Sequence, residues 1–437
     1  MGVPRILLEY ARTRLHHEPL DRAELDTGHD RAVASLLRHV HARSAFYRAH
    51  HAGHRTAGRG WRDLPETNKE LMMANFATFN TAGITTEEAF ACAGAAEGCR
   101  DFRPTVRGHT IGLSSGTSGN RGLFVVDRAE KDRWTGCILA HLLPDAVLAR
   151  HRVAFFLRAN SNLYESVGSG RVQFSYFDLA RPFDVLMRQL DTLAPTVLVA
   201  PPAVLALLAS EQERGGIDLR PRMVVSVADV LEDQERARIE AAFSTRLREV
   251  YQATEGLIGM SCREGVLHLN EANMVIEKKD IGHGRFIPIV TDLRRRTQPI
   301  IRYVLDDVLV EREERCRCGS IYQAIERVEG RCDDLCIVST PSGNVPLFPD
   351  FIRRAIITAS AEITDYRFTY DGARAEVTLA VRPGASEHLV AEAALVSLRE
   401  VFTCRDLPVP SIATAFGIPN DPLQKRRRVR FTPRHGV

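Results

Sequence analysis

The chain lacks an excess of charge of either sign: 58 lysines and arginines stand against 55 aspartates and glutamates over 437 residues, a formal net charge of +3. With no basic stripe there is no electrostatic footprint for DNA or RNA, so nucleic acid is not an expected partner. Long hydrophobic runs are missing too. The most apolar stretches, such as Val197 to Ala209, are too short and too interrupted by proline to cross a bilayer. The opening, Met1 to Tyr10, shows neither an apolar leader core nor a cleavage site. No membrane partner is expected, and a cytoplasmic location is. Cysteine is sparse and odd in number, nine in all. Spread over a chain of this size without a secretory signal, these thiols read as reduced, some of them suited to metal, rather than as a disulfide framework. Internal repeats and low-complexity tracts are also absent.

Apolar side chains make up 44% of the sequence. That is enough for two or three domains, because a single core stops growing near about 250–300 residues. Residues 1–105 carry apolar positions at helical spacing: Val33, Leu36, Leu37 and Val40 fall on one face. This part is expected to be a helical lobe of a larger domain. Its histidines, His39, His41, His50, His51 and His54, sit among arginine and alanine and read as a solvated surface rather than a metal cluster. Residues 106–331 alternate short β-rich runs (Arg152 to Leu157, Thr196 to Ala200, Met223 to Val227, Arg248 to Tyr251) with helical or turn-rich stretches. Such alternation predicts an α/β fold with a mostly parallel sheet and helices against it. Residues 332–437 change texture again. Strand-like Tyr366 to Tyr370 and Ala375 to Val381 precede a helical run from about Glu387 to Phe402, which fits a small α+β domain.

Three stretches carry chemistry. The first is Leu113-Ser114-Ser115-Gly116-Thr117-Ser118-Gly119-Asn120-Arg121-Gly122, followed by the strand-like Leu123 to Val126. Glycines let the backbone turn tightly with its amides pointing inward, and four hydroxyls add donors, a composition suited to cradling phosphates. The same residues also suit a plain surface loop, and Gly112 to Gly116 matches the Gly-x-Ser-x-Gly elbow of esterases, though no strong helix start follows the serine. The second is Tyr251-Gln252-Ala253-Thr254-Glu255-Gly256 at the end of a strand. An aromatic, a hydroxyl and a carboxylate at such an end can stack a base, touch a phosphate and hold Mg²⁺, or simply pack and cap a turn. In the third, Thr291-Asp292-Leu293 precedes an apolar strand, Gln298 to Leu305, that ends in Asp306-Asp307. Carboxylates there suit ribose hydroxyls, and equally a surface turn.

These motifs in this order, followed by Gly330-Arg331-x-Asp333-Asp334, resemble the adenylate-forming acyl- and aryl-CoA ligases. Within them the chain is most similar to the phenylacetate-CoA ligase branch, in particular to its subgroup related to the synthetases that adenylylate a deazaflavin coenzyme. The resemblance runs from about residue 60 to the end and includes Leu64-Pro65, Lys69, Met72-Met73, Asn75-Phe76 and Arg302-Tyr303. It implies a large adenylation domain and a small mobile lid. It assigns Ser114, Ser115, Gly116, Thr117, Ser118 and Gly119 to the ATP phosphates, Thr254 to the α-phosphate and Glu255 to Mg²⁺. Asp307 is assigned to the ribose, Tyr251, Gln252, Ala228 and Asp229 to the adenine pocket, Arg331 to nucleotide contacts and Asp333 to the hinge. The catalytic lysine of such enzymes falls on Lys425, within Gln424-Lys425-Arg426-Arg427-Arg428-Val429. This sequence departs from the pattern there, with glutamine for the usual glycine and an arginine run that also suits a basic tail. A positive charge at that place offsets repulsion between a carboxylate and the α-phosphate.

Cys262, His268, Cys316 and Cys318 supply three thiols and an imidazole, the set that suits a closed, structural zinc site, and members of the resembled branch carry the same elements. The expected reaction joins a small carboxylic acid, aryl or arylacrylic, to AMP with loss of pyrophosphate, then passes the acyl group to a thiol of CoA or of an acyl carrier protein. Phe156, Arg158, Asn160, Tyr164 and Phe177 are candidate walls of the acid pocket, and they suit core packing equally well. Other outcomes stay open: capture of the adenylate by an amine or nitrogen oxyanion, AMP transfer to a phenol, a serine esterase, or a nucleotide-binding protein without catalysis. A homodimer is compatible with the sequence.

Overall fold

The computed structural model describes residues 3–15, 18, 20–99, 104–113, 122–144, 149–157, 171–179, 181, 183–331, 336–340, 343–347, 349–418 and 428–431. The chain divides into two compact units, one of residues 1–305 and 310–327, the other of residues 306–309 and 328–437.

The first unit begins with helices α1 (Val3–Arg14), α2 (Arg22–Arg43), α3 (Ala45–His50), α4 (Lys69–Ala74), α5 (Phe76–Phe79) and α6 (Thr86–Cys99). Helix α2 starts at Asp21, whose carboxylate accepts the Glu24 N–H, and ends at Ser44, whose hydroxyl caps α3 in turn. Val33, Leu36, Leu37 and Val40 are all buried, as their spacing predicts. One histidine departs from the expected solvated surface. His51 is 4% exposed, with Nδ1 2.8 Å from His41 Nε2. The reason is local: the last turn of α3 directs the ring against Tyr47 and His41. Burial pushes its pKa down to about 3, with the neighbouring His41, His50 and His54 adding to the shift, so the ring is neutral.

Strands β1 (Thr110–Leu113) and β2 (Leu123–Val126) pair antiparallel, Leu113 opposite Leu123. Helix α7 (Arg128–Leu142) follows at once, opened by a capping box in which Asp127 and Glu130 exchange side-chain and backbone bonds. Then come β3 (His151–Leu157), β4 (Val172–Asp178), α8 (Phe183–Leu193), β5 (Val197–Ala200), α9 (Pro202–Glu213), β6 (Met223–Val227), α10 (Asp233–Phe243) and β7 (Leu247–Ala253). The expected parallel sheet is present in these five strands, ordered β4-β3-β5-β6-β7. From β7 it continues antiparallel through β8 (Gly256–Ser261) and β9 (Leu267–Leu269) to the first residues of β14 (Ala324–Arg331). A further antiparallel set joins β10 (Met274–Gly282), β11 (Arg285–Asp292) and the short β12 (Tyr303–Val304).

Alternation along β5 shows how the parallel part is clad. Leu198 and Ala200 pack with Leu190 of α8, Leu208 of α9 and Phe243 of α10. Val197 and Val199 pack on the opposite side with Ile6 and Tyr10 of α1 and Leu139 of α7. A four-residue strand of continuous apolar character is what two covered faces require. The apolar run from 298 to 305 is not the continuous strand its composition predicts. Only Tyr303 and Val304 pair, because Pro299 supplies no N–H and Arg302 is turned to φ +43°. Its N–H there reaches Thr291 Oγ1, while the carbonyl accepts the Thr67 N–H.

The second unit holds a hairpin of β15 (Cys336–Thr340) and β16 (Gly343–Leu347), helices α11 (Pro349–Ala359) and α12 (Glu387–Thr403), and a sheet ordered β19-β18-β17-β20. The strands are β17 (Ile363–Tyr370), β18 (Arg374–Val381), β19 (Ser411–Phe416) and β20 (Val429–Phe431). Phe368, Val377, Leu379, Leu398 and Phe402 form its core, so the strands and helix expected here are observed and the α+β assignment holds. Among the described residues no helix is long and apolar enough to cross a membrane.

Candidate functional site

The second motif stands where the parallel sheet turns antiparallel. Tyr251 and Gln252 are near the end of β7, Ala253 closes it, and β8 returns from Gly256. Thr254 and Glu255 form the turn, and Thr254 Oγ1 donates to Glu255 Oε2 at 2.9 Å. Gln252 Oε1 accepts the indole N–H of Trp134 from α7 at 3.2 Å. The turn after β6 lies alongside, since Val227 is in register with Val250. Ala228 takes φ +71° there and Asp229 N–H bonds back to the Val227 carbonyl. Ala228, Asp229, Tyr251, Gln252, Thr254 and Glu255 therefore share one end of two neighbouring parallel strands, the end at which α/β sheets bind ligands.

Gly256 is held closely. At φ +149°, a Cβ on it would lie 2.4 Å from Met274 Cε and 2.9 Å from Asp292 Oδ2. Asp292 ends β11 and is buried, its Oδ1 accepting the N–H groups of Arg294 (2.8 Å) and Arg295 (3.1 Å). Burial pushes its carboxyl up to about 6, and the two backbone donors and the Arg295 charge oppose that shift. The Arg295 guanidinium, also buried, donates through Nη1 to the Thr254 carbonyl and through Nη2 to Gln298 Oε1 at 2.8 Å. Gln298 in turn accepts the Val125 N–H at 2.8 Å and donates to the Leu123 carbonyl at 3.0 Å. Glu130 of α7 accepts the N–H groups of Arg296 and Thr297 at 2.6 and 2.8 Å. Residues 292–298 thus join the Thr254 turn to β2, the strand that leaves the Ser/Thr/Gly stretch.

The helical lobe supports the same segment. Tyr47 donates to the Pro299 carbonyl at 2.9 Å and Thr81 N–H to the Thr297 carbonyl at 2.8 Å. Asp292 and Gln298 belong to the third stretch the sequence marks out, with no role given to either, while Arg295 and Glu130 carry no such mark. An Arg-Arg-Arg run ordinarily reads as solvated. The proline and paired polar residues beside the buried Ile300 and Ile301 were the only local sign.

Other assignments are placed less fully. Ser114, Ser115, Gly116, Thr117, Ser118, Gly119, Arg158, Asn160, Tyr164, Asp333 and Lys425 lie outside the described residues. Arg331 closes β14 with its backbone alone described. Asp307 opens β13 (Asp307–Glu311). Phe156 and Phe177 stack at 4.5 Å, 0% and 2% exposed, inside the core formed with α8 and α9. Both rings are enclosed by packing, because inward alternation on β3 and β4 points them at those helices. Among the described residues, the element that follows Ser114 is β2, paired antiparallel with β1.

Cys262, His268, Cys316 and Cys318 come together with all ligand atoms within 4.8 Å of one another. Cys262 Sγ lies 3.6 Å from Cys316 Sγ, and Cys318 Sγ 3.5 Å from His268 Nε2. A tetrahedral ion with bonds of about 2.0–2.3 Å separates its ligands by roughly 3.5–3.8 Å, which these two pairs match, and the remaining pairs, within 4.8 Å, need at most a contraction of about 1 Å. Each loop is folded as a knuckle: Glu264 N–H points at Cys262 Sγ (3.3 Å) and Ser320 N–H at Cys318 Sγ (3.5 Å). Glu271 buttresses the second loop, accepting the Gln323 N–H at 2.6 Å and a forked pair of bonds from Arg22 of α2.

No known family's sequence profile matches the chain. Protein CapK of Staphylococcus aureus is 32% identical over 120 residues, a stretch that spans 27% of this chain and 27% of CapK. The crystal structure of 2-hydroxyisobutyryl-CoA ligase in its postadenylation state superposes with a TM-score of 0.73 at 15% identity, covering 96% of this chain and 91% of that one. The amide bond synthetase McbA from Marinactinospora thermotolerans superposes with a TM-score of 0.51 at 16% identity, over 75% of this chain and 68% of that one. The chain therefore has the fold of acyl-CoA ligases and of related adenylate-forming enzymes.

Proposed function

We propose that this protein is an AMP-forming ligase that activates a small carboxylic acid with MgATP and transfers the acyl group to a thiol, of CoA or of an acyl carrier protein. The observation that supports this reading is the buried link from Thr254 through Arg295 and Gln298 to β2, the strand that follows the Ser114 to Gly119 stretch in sequence. In this reading Ser114 to Gly119 hold the β- and γ-phosphates, Thr254 meets the α-phosphate, Glu255 carries Mg²⁺ and Asp307 takes the ribose hydroxyls. Tyr251, Gln252, Ala228 and Asp229 surround the adenine, and Arg331 adds a nucleotide contact. Magnesium supplies charge neutralisation on the phosphates. The acid's carboxylate oxygen attacks the α-phosphorus, the bond to the bridging oxygen breaks, and pyrophosphate leaves. Lys425 offsets the repulsion between the two anions. The second unit then turns about Asp333, withdrawing Lys425, and a thiolate displaces AMP from the mixed anhydride.

The acid is proposed to be aryl or arylacrylic, with Arg158, Asn160 and Tyr164 as candidate walls of its pocket. The likeness to an amide bond synthetase favours one second reading, in which an amine takes the place of the thiol. The placement of the protein in the phenylacetate-CoA ligase branch rests on the motifs alone. Zinc held by Cys262, His268, Cys316 and Cys318 closes two loops and leaves no open coordination position, which makes it structural. The deciding experiment is a pyrophosphate-release screen over aryl, aliphatic and amino acids, with and without CoA and amines. Release that depends on both ATP and one acid supports the proposal. Ester hydrolysis without ATP, or ATP binding with no exchange for any acid, replaces it with the esterase or the binding-protein reading.

A further inference from the structure

We infer that Gln252 is a specificity-determining residue for the acid, its side-chain amide donating to an oxygen substituent of the substrate, with Trp134 of α7 orienting that amide; this deepens the ligase reading proposed above and rests on it. The indole Nε1–H of Trp134 meets Gln252 Oε1 at 3.2 Å. An indole nitrogen only donates, so this bond fixes which end of the amide is oxygen and leaves the Nε2 hydrogens for another acceptor. Among the described residues Nε2 has no protein acceptor. Gln252 and Trp134 are both half-buried, so a ligand can meet them.

Alternation along β7 turns this side chain away from that of Tyr251. Leu247 packs in the core under α8, α9 and α10, and Glu249 is bonded by Arg236 of α10. Val250 packs on the other face, with the cluster under α1 and α7, and Gln252 follows it there. Its place beside the proposed adenine pocket is then one of backbone, because its amide is turned to α7. Leu157 and Val227, the last residues of β3 and β6, are half-buried and pack against the same cluster as Trp134. Apolar groups around one oriented polar group are the make-up of a small-molecule site. An acid joined to a phosphorus at Thr254 stands at this end of β7, and Gln252 lies two residues back along the strand, about 7 Å away.

The test measures kcat/KM for pyrophosphate release with hydroxy acids and their methyl isosteres: hydroxybenzoates against methylbenzoates, hydroxycinnamates against methylcinnamates, and 2-hydroxyisobutyrate against pivalate. Wild type should favour the hydroxy member of the pair it uses best by about 10-fold, the size of one neutral hydrogen bond, and Gln252→Leu should abolish that ratio. Trp134→Phe, which keeps a ring but removes the N–H, should lower the ratio, and the double variant should match Gln252→Leu, since Trp134 acts only through the amide. A wild-type ratio near one in every pair overturns the inference, as does a ratio that survives Gln252→Leu or a loss confined to the KM for MgATP. Should Gln252→Leu fail to fold, an undiminished ratio in Trp134→Phe overturns it instead. Wild-type protein that releases no pyrophosphate with any of these acids overturns the ligase reading itself, which distinguishes the two failures.

Discussion

His268 Nε2 faces Cys318 Sγ at 3.5 Å, while the other nitrogen of the same ring is turned to the Tyr322 carbonyl at 2.9 Å. A histidine so oriented presents its Nε2 lone pair to the thiols with the Nδ1 proton already spoken for, the outer-shell arrangement that fixes a metal-binding tautomer. Purified protein is accordingly expected to contain about one zinc per chain. Cys316→Ser should lose the metal and lower the thermal midpoint, and acidification should release it as the thiolates protonate. Elemental analysis of a well-folded preparation that contains no metal would end the idea.

Four hydroxyls in the Ser114 to Gly119 stretch are proposed donors to the triphosphate. Thr117→Ala combined with Ser118→Ala should weaken MgATP by about 10-fold or more, at roughly 1 kcal/mol for each lost hydrogen bond. Calorimetry showing unchanged affinity counts against a phosphate role there.

Lys425 is the proposed cation of the first half-reaction. Its alanine variant should lose about 10²- to 10³-fold in adenylate formation, the size of effect seen on removing one electrostatic contact to a developing charge. It should still consume a synthetic acyl-adenylate. Exchange of pyrophosphate at the wild-type rate removes Lys425 from the mechanism.

Asp292 offers a pH signature. Its folded-state carboxyl titrates near 6, above the ordinary 3.8, chiefly because of burial. The folded protein therefore binds more protons than the unfolded chain between those values, so this group's contribution to stability is full below pH about 4 and is lost as pH rises through about 6. Asp292→Asn keeps an oxygen for the two backbone donors and removes the titration. The stability of wild type relative to this variant should fall by an amount on the order of a few kcal/mol between pH 4 and 7. Parallel pH–stability curves for the two proteins would contradict the assignment.

At Gly136 of α7, α1 packs against the helix backbone. A Cβ there would stand 2.5 Å from the Ile6 carbonyl oxygen, 2.8 Å from Glu9 Cβ and 2.9 Å from Tyr10 N. Two of those atoms belong to the α1 backbone and cannot rotate away. Gly136→Ala should cost about 1–3 kcal/mol, the usual penalty of overpacking, and speed hydrogen exchange in α1. Unaltered exchange in α1 is the outcome that counts against close packing at this crossing.

Local pattern alone determined a good deal about this protein. The burial of Val33, Leu36, Leu37 and Val40, the strands at 151–157, 223–227 and 374–381, and the long helix of the second unit follow from periods of 3.6 and 2, which neighbouring residues impose on each other. The four candidate metal ligands were also legible, because thiol and imidazole chemistry narrows what such residues do. Only the tertiary structure decided the rest. That Arg295 is buried and forked, that His51 is enclosed, that Phe156 and Phe177 face helices, and that the run from 298 to 305 breaks at Arg302 all depend on partners far away in the chain. Gln298 meets β2 across 173 residues and Tyr47 meets Pro299 across 252. A buried polar group is stable only where its particular acceptor is delivered, and that delivery is a property of the folded chain rather than of any window along it.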